Sequence, residues 1–216
     1  RNLYHYPMDY KTNSPNVINR DLELSITEFA PGAEKTKDKA IHRAVGLSGK
    51  GVQLRNNSGD IYQHRLEDTF EALFKSVFCG KCNYFEIIES ERYADTGSCR
   101  LCHEAVIPND IVVPKAYITD NKQYQEPDME KPYYGYTPFL WNKDNVNFEK
   151  VRSANLKIKY FGQESVWRIN NNKGENFNFY KRNDVNLNSF YYDSSFFKGE
   201  VGSDRRDEGS KRIVSL

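Results

Sequence analysis

Residues 79–102 read CGKCNYFEIIESERYADTGSCRLC, and the rest of the chain is organised around this window. Cys79-Gly80-Lys81-Cys82 and Cys99-Arg100-Leu101-Cys102 are two CxxC pairs with sixteen residues between them, and they hold all 4 cysteines of the chain. Two cysteines separated by two residues turn as a knuckle and offer two thiolates to one metal. Two such knuckles at the ends of a hairpin complete a tetrahedral S4 site, with Zn–S bonds of about 2.3 Å. Four thiolates leave no open position for water, so the site is structural. Cys79, Cys82, Cys99 and Cys102 are therefore the expected zinc ligands. Gly80 is expected to permit the tight backbone of its knuckle. Nearby amides, Lys81 and Arg100 are expected to offset the thiolate charge. The alternatives are redox-active or merely buried cysteine pairs, an iron–sulfur cluster on the same thiolates, or His103 in place of one cysteine.

On the N-terminal side of the window, Leu66, Phe70, Leu73, Phe74 and Val77 form an apolar stripe at helical spacing. Glu67 and Asp68 suit the first turn of a helix. A helix over 66–78 running into the first CxxC pair is the expectation. Between the pairs, Tyr84, Phe85, Ile87 and Ile88 followed by a polar turn to Gly97 predict a hairpin over 83–98. Earlier in the chain, Leu22, Ile26 and Phe29 share one helical face, with Asn19 as its cap and Pro31-Gly32 as its end. Lys37–Leu47 alternates as a strand. Beyond the window, Ile111–Pro114 reads as a strand and 119–138 as a polar loop. Short strands are expected at Leu156–Tyr160, Val166–Ile169, Phe177–Tyr180 and Phe190–Phe197, with a turn at Asn170–Gly174. The charged stretch 198–212 is expected to be mobile.

The 216 residues suffice for a real core, and an aromatic content of 14% excludes disorder throughout. With 31 basic against 30 acidic residues the net charge is +1, so no global attraction to nucleic acid exists and any contact must be local. No apolar run approaches the roughly 20 residues that span a membrane, and nothing resembles a signal peptide. Cysteines clustered in one window, rather than spread as a disulfide framework, place the chain in the cytoplasm. The opening at Arg1 and the strand-like close at Lys211–Leu216 predict a piece of a longer protein.

Catalytic constellations are not evident. His5, His42 and His64 are far apart in sequence and lack a partner motif, and each reads as a surface or packed residue. Glu89 and Glu91 read as a solvated strand face. Gly46–Gly51 contains a Gly-Lys but not the Walker A spacing, and is read as a loop. The histidines an HNH nuclease would need do not follow Cys102. Lys115, Arg152, Lys157, Lys159, Arg168, Lys181 and Arg182 interleave with Tyr160, Trp167, Phe179 and Tyr180. Basic and aromatic residues together suit single-stranded nucleic acid, while ordinary strand faces with solvated lysines would look the same.

Three phrases, taken in order, resemble a known region. The first runs from Arg20-Asp21-Leu22 through Glu28-Phe29-Ala30-Pro31-Gly32-Ala33-Glu34 to Val45-Gly46-Leu47. The second is the cysteine set followed by Val112-Val113-Pro114-Lys115-Ala116-Tyr117. The third is Val166-Trp167-Arg168-Ile169-Asn170-Asn171-Asn172-Lys173-Gly174. Their order around a cysteine cluster is similar to the zinc-binding region that accompanies superfamily 2 helicase motors in bacterial genome-defence and repair systems, the DISARM component DrmB and the MrfA-like helicases. The resemblance spans residues 20–175, and residues 119–150 within it match nothing in the family, nor do 176–212 beyond it. It implies an accessory domain of a DNA-translocating ATPase assembly, with DNA and a helicase motor subunit or domain as partners. The motor's ATP-binding motifs are not in this chain.

The expected fold is α+β and β-rich: a zinc ribbon flanked by an amphipathic helix and a C-terminal antiparallel β unit. The expected division is a helix/strand region over 1–65, helix plus zinc ribbon over 66–118, and a β-rich region with a charged tail over 119–216. The expected function is a non-catalytic module supporting DNA engagement or partner docking in antiviral defence or DNA repair. A protein–protein scaffold without DNA contact, using the aromatics of 133–141, is the alternative, and a metal-dependent nuclease ranks last.

Overall fold

The computed structural model describes residues 1–4, 17–59, 61–89, 97–120, 124–125, 139–141, 149–150, 157–158, 166–184, 188–193, 195–196 and 212–216. The chain begins with β1 (Asn2–Tyr4), β2 (Val17–Asn19), the helix α1 (Leu22–Glu28), β3 (Glu34–Lys37), β4 (Ala40–Ser48), β5 (Gly51–Arg55) and β6 (Ile61–Leu66). It continues with β7 (Phe70–Phe78), β8 (Phe85–Glu89), β9 (Asn109–Pro114), β10 (Ala116–Thr119), β11 (Tyr124–Gln125) and β12 (Phe139–Trp141). The last strands are β13 (Glu149–Lys150), β14 (Lys157–Ile158), β15 (Val166–Arg168), β16 (Phe177–Asp184), β17 (Asn188–Asp193) and β18 (Arg212–Ser215). The protein is β-rich with one described α-helix, and that helix is far too short to cross a membrane.

Twelve of these strands form one sheet, ordered β2-β1-β10-β4-β17-β16-β18-β9-β7-β8, with β3 and β11 also on β4. Strands from residues 1–65, 66–118 and 119–216 all enter it. β9 and β10 are separated only by Lys115, yet they lie five places apart in the order. The sheet must therefore curl back on itself, with Lys115 as the corner; its amide donates to the Thr69 carbonyl at 2.9 Å. Leu3, Ile26, Phe29, Leu47, Val112, Tyr117, Phe177 and Phe179 pack together in the largest core cluster. The burial of such side chains, each contributing about 1.5–3 kcal/mol, supplies most of the driving force. At Gly46 a Cβ would lie 2.0 Å from the Tyr191 carbonyl oxygen, so β17 and β4 close on a position only glycine fits.

The helix expected over 66–78 is instead strand β7, paired with β8 on one side and β9 on the other. On the strand the apolar stripe splits: Leu73 is left exposed and Val77 packs with the cysteines. On a strand, Phe70 and Phe74 fall on one face, where they meet Tyr191 (4.8 Å between ring centres) and Trp167 (5.1 Å). Two neighbouring strands satisfy the backbone of β7, which local propensity could not foretell. The helix at 22–28 is as expected, but Asn19 does not cap it: its side chain donates to Asn2 Oδ1, and Asp21 occupies the cap position without a side-chain bond. The Lys37–Leu47 strand is two strands joined at Asp38-Lys39, both in the left-handed region. Gly46–Ser48 belongs to β4 and Gly51 to β5, so the segment read as a loop is mostly strand.

Strands fall at 111–114, 157–158, 166–168, 177–184 and 188–193 where sequence placed them, and a 3-10 turn spans Asn172–Gly174. The C-terminal β unit is antiparallel at β16–β17, but β18 joins β9 in parallel. The second half of the 83–98 hairpin, most of the 119–138 loop and the stretch 198–211 lie outside the described residues.

Candidate metal centre

The two CxxC pairs fold as the turns of two separate β-pairs. Phe78 and Phe85 are cross-strand partners at the end of β7 and β8, and residues 79–84 are the turn between them. Ser98 and Ala105 form an isolated bridge, and residues 99–104 are the turn between those. Each knuckle is thus the turn of its own β-pair, while most of the segment joining them, expected as a hairpin, lies outside the described residues.

The two turns are near copies. Cys79 N–H donates to the Tyr84 carbonyl (2.9 Å) and Asn83 N–H to the Cys79 carbonyl (2.8 Å). Cys99 N–H donates to Glu104 (2.7 Å) and His103 N–H to Cys99 (2.9 Å) in the same pattern. Asn83 and His103 both adopt positive φ, 57° and 60°, which closes each turn one residue after its second cysteine. Gly80 is not what permits the bend, since a Cβ there would meet nothing within 4 Å. His103 is exposed within the turn and outside the thiol group.

The four Sγ atoms lie within 4.8 Å of one another, with Cys79–Cys102 and Cys82–Cys99 each at 3.5 Å. A tetrahedron with metal–sulfur bonds of about 2.3 Å has edges of about 3.8 Å, so the cluster has the dimensions of an S4 site. A disulfide would need about 2.05 Å, and none of the four is in one. Cys79 and Cys99 are buried, and Val77 of β7, Tyr84 of the first turn, Ile88 of β8 and Val106 after the second turn pack with them.

Backbone amides favour thiolate here. Those of Cys82 and Lys81 hold the Cys79 thiol down at about 7. Leu101 N–H reaches Cys99 Sγ at 3.4 Å. Burial pushes Cys82 up to about 12, with the neighbouring thiols adding to it against the Tyr84 amide. At Cys102 the Glu104 amide favours the thiolate, but burial and adjoining thiols leave its pKa raised. One negative charge forms readily and further ones are opposed, a conflict that a bound dication resolves. The four cysteines can hold a metal ion.

Lys81 and Arg100 are already engaged. Lys81 Nζ pairs with Glu104 at 2.6 Å, and this carboxylate, before the thiols, raises its pKa. Arg100 pairs with Glu86 at 2.6 Å, and Glu86 also accepts from the Tyr84 hydroxyl at 2.9 Å. Charge compensation at sulfur therefore falls mainly to the amides.

The described residues among those singled out for nucleic acid lie on or beside several strands, Lys115 between β9 and β10, Lys157 on β14, Arg168 on β15, and Lys181 and Arg182 on β16. Lys115 pairs with Glu67 (3.6 Å) and Arg168 with Glu23 (2.5 Å). Lys181 is exposed and Arg182 half-buried on β16. Lys157 lies on β14, paired with Lys150 of β13. Arg152, Lys159 and the aromatics of 133–138 lie outside the described residues. Of the histidines, His42 is buried on β4, His64 is on β6, and His5 lies outside the described residues.

Sequence reasoning missed Asn170. Its side chain is buried and donates to the Ile26 carbonyl at 2.6 Å, tying the turn after β15 to α1. Its backbone exchanges bonds with Leu216 (2.8 and 2.9 Å). Asparagine inside a turn-rich stretch reads as turn chemistry, and nothing local reveals a partner 144 residues away.

No family model, curated protein or solved structure matches the chain.

Proposed function

We propose that this chain is a non-catalytic module of a helicase-based DNA defence or repair machine, held together by a structural zinc ion. The zinc assignment is supported above all by two knuckles of matching geometry that bring four thiols to tetrahedral spacing. Zinc bound there would offset part of the charge of the four thiolates and lock the β7–β8 turn to the 99–104 turn. No thiol is left over to activate, so the centre holds structure. The helicase setting is supported by the order of the three phrases around the cysteines, and the module's task is DNA engagement or partner docking.

Partner docking is the better supported of the two tasks. Two of the seven basic residues selected for DNA contact are paired with carboxylates, and the net charge is +1. Metal analysis of the purified protein tests the zinc: one equivalent is expected, while no metal or a coloured cluster refutes it. Titration with single-stranded DNA at two salt concentrations tests the DNA arm. Weak binding that falls as salt rises is expected if lysine and arginine contacts matter. The scaffold reading requires no binding at either concentration. A nuclease assay with magnesium or manganese is expected to show no cleavage.

A further inference from the structure

The cysteine cluster is unevenly exposed. Each knuckle has one buried thiol, Cys79 or Cys99, and one half-buried thiol, Cys82 or Cys102. A dissolved oxidant therefore meets Cys82 and Cys102 first. The thiol contacts at 3.5 Å both cross between the knuckles, Cys102 to Cys79 and Cys82 to Cys99. Each half-buried thiol thus faces a buried one from the opposite turn.

Contacts that need no metal also hold the two turns face to face. Lys81 of the first turn pairs with Glu104 of the second at 2.6 Å, and Arg100 of the second pairs with Glu86 of β8 at 2.6 Å. Val77, Tyr84 and Ile88 share one apolar cluster with Val106. Exposed ion pairs contribute little singly, but together with this cluster they keep the sulfurs of one turn opposite those of the other. A sulfur oxidised in one turn then has a thiol within reach in the other, and closing that bond outruns attack by more oxidant.

We propose that the centre is a redox-reversible lock, in which oxidation by a peroxide exchanges the zinc for the cross-knuckle disulfides Cys79–Cys102 and Cys82–Cys99. The β7–β8 turn and the 99–104 turn then stay joined. The inference rests on the zinc reading and deepens it. The Cys102 thiolate attacks hydrogen peroxide, takes OH onto sulfur as a sulfenic acid and releases hydroxide. The Cys79 thiolate attacks that sulfur, the S–S bond forms and a second hydroxide leaves. Two electrons pass from the two sulfurs to one peroxide, and protons from the buffer convert both hydroxides to water. Cys82 and Cys99 consume a second peroxide in the same way. Consumption of the thiolates releases zinc as an unchanged dication.

The test uses the full chain with its zinc content measured before oxidation. Hydrogen peroxide is titrated in, a chromophoric indicator follows released zinc, and tryptic peptides are mapped by mass spectrometry after free thiols are blocked. Trypsin cuts after Lys81, Arg92 and Arg100, so each cysteine lies on its own peptide and every pairing is distinguishable. Zinc release is expected in step with the links Cys79–Cys102 and Cys82–Cys99, and dithiothreitol with added zinc is expected to restore the thiols and the metal. Each link closes a loop of about twenty residues, so the oxidised protein is expected to melt roughly 6–12 °C above reduced protein held in chelator. Cys99→Ser is expected to form the Cys79–Cys102 link alone; should that variant not fold, the wild-type map decides. Links within a knuckle, sulfinic acids in place of disulfides, links between chains, or zinc-loaded thiols that survive a peroxide excess sufficient to oxidise free glutathione overturn the proposal and leave the zinc module standing. Protein that neither holds nor takes up zinc sinks the zinc reading, and the exchange with it.

Discussion

Replacing Cys99 by serine removes one thiolate while nearly preserving side-chain size. Cys99 is fully buried, its Sγ lies 3.5 Å from Cys82 Sγ, and it receives the Leu101 amide. Serine will not ionise there, so the metal keeps three sulfur ligands. Structural zinc binding is worth about 10–16 kcal/mol over four ligands, so one thiolate represents roughly 3–4 kcal/mol, or two to three powers of ten in affinity. With free zinc buffered at about a thousand times the wild-type dissociation constant, linkage transfers a loss of roughly 3 kcal/mol to folding stability. In a chain of this size that lowers the melting temperature by roughly 6–12 °C. Competition with a chromophoric chelator measures the affinity, and circular dichroism melting in zinc buffer measures the stability. Lys81→Ala, at an exposed position in the other knuckle, is the control and is expected to retain its zinc. The reasoning fails if Cys99→Ser binds zinc within about threefold of wild type, or if stripping zinc from wild type leaves its melting temperature unmoved.

Gly46→Ala places a Cβ 2.0 Å from the Tyr191 carbonyl oxygen, so β17 must move off β4. A loss of about 3 kcal/mol is expected, read as a fall of roughly 1 M in the urea midpoint with zinc content unchanged. Phe74→Ala removes the ring that meets Trp167 edge-on. It should cost about 3 kcal/mol and alter tryptophan emission, and a silent substitution would contradict the packing of Phe74 on Trp167. Burial disfavours the charged form of His42 and, against its contacts with Lys37 and Asp120, holds its pKa below the usual value of 6.5. Between 6.5 and that lower value the unfolded chain binds a proton that the folded chain does not. Stability should therefore be full at neutral pH and decline as pH falls through that window, and His42→Gln should flatten the slope measured by urea titration.

The cysteine cluster and α1 were legible because their signals are local. CxxC spacing fixes a turn within six residues, and the face of Leu22, Ile26 and Phe29 lies within eight. The stripe at 66–78 was legible as apolar but not as strand, because Leu73 fits the helical face and is exposed on the strand, and the hydrogen-bond partners that decide lie 30 or more residues on, in β9. Lys115 as a corner, with β10 beyond it, had no signature apart from the strands its two sides pair with.

The sequence alone determined which four atoms can hold a metal, since residue type and spacing suffice for that. The tertiary structure alone decided that the two knuckles are copies, each closed by a residue of positive φ and each the tip of a separate β-pair. It also turned three distant phrases into the walls of one pocket between α1, β9 and β15. Proximity between residues more than a hundred positions apart depends on the curl of the sheet, which sums many weak pairings and is not encoded in any one stretch.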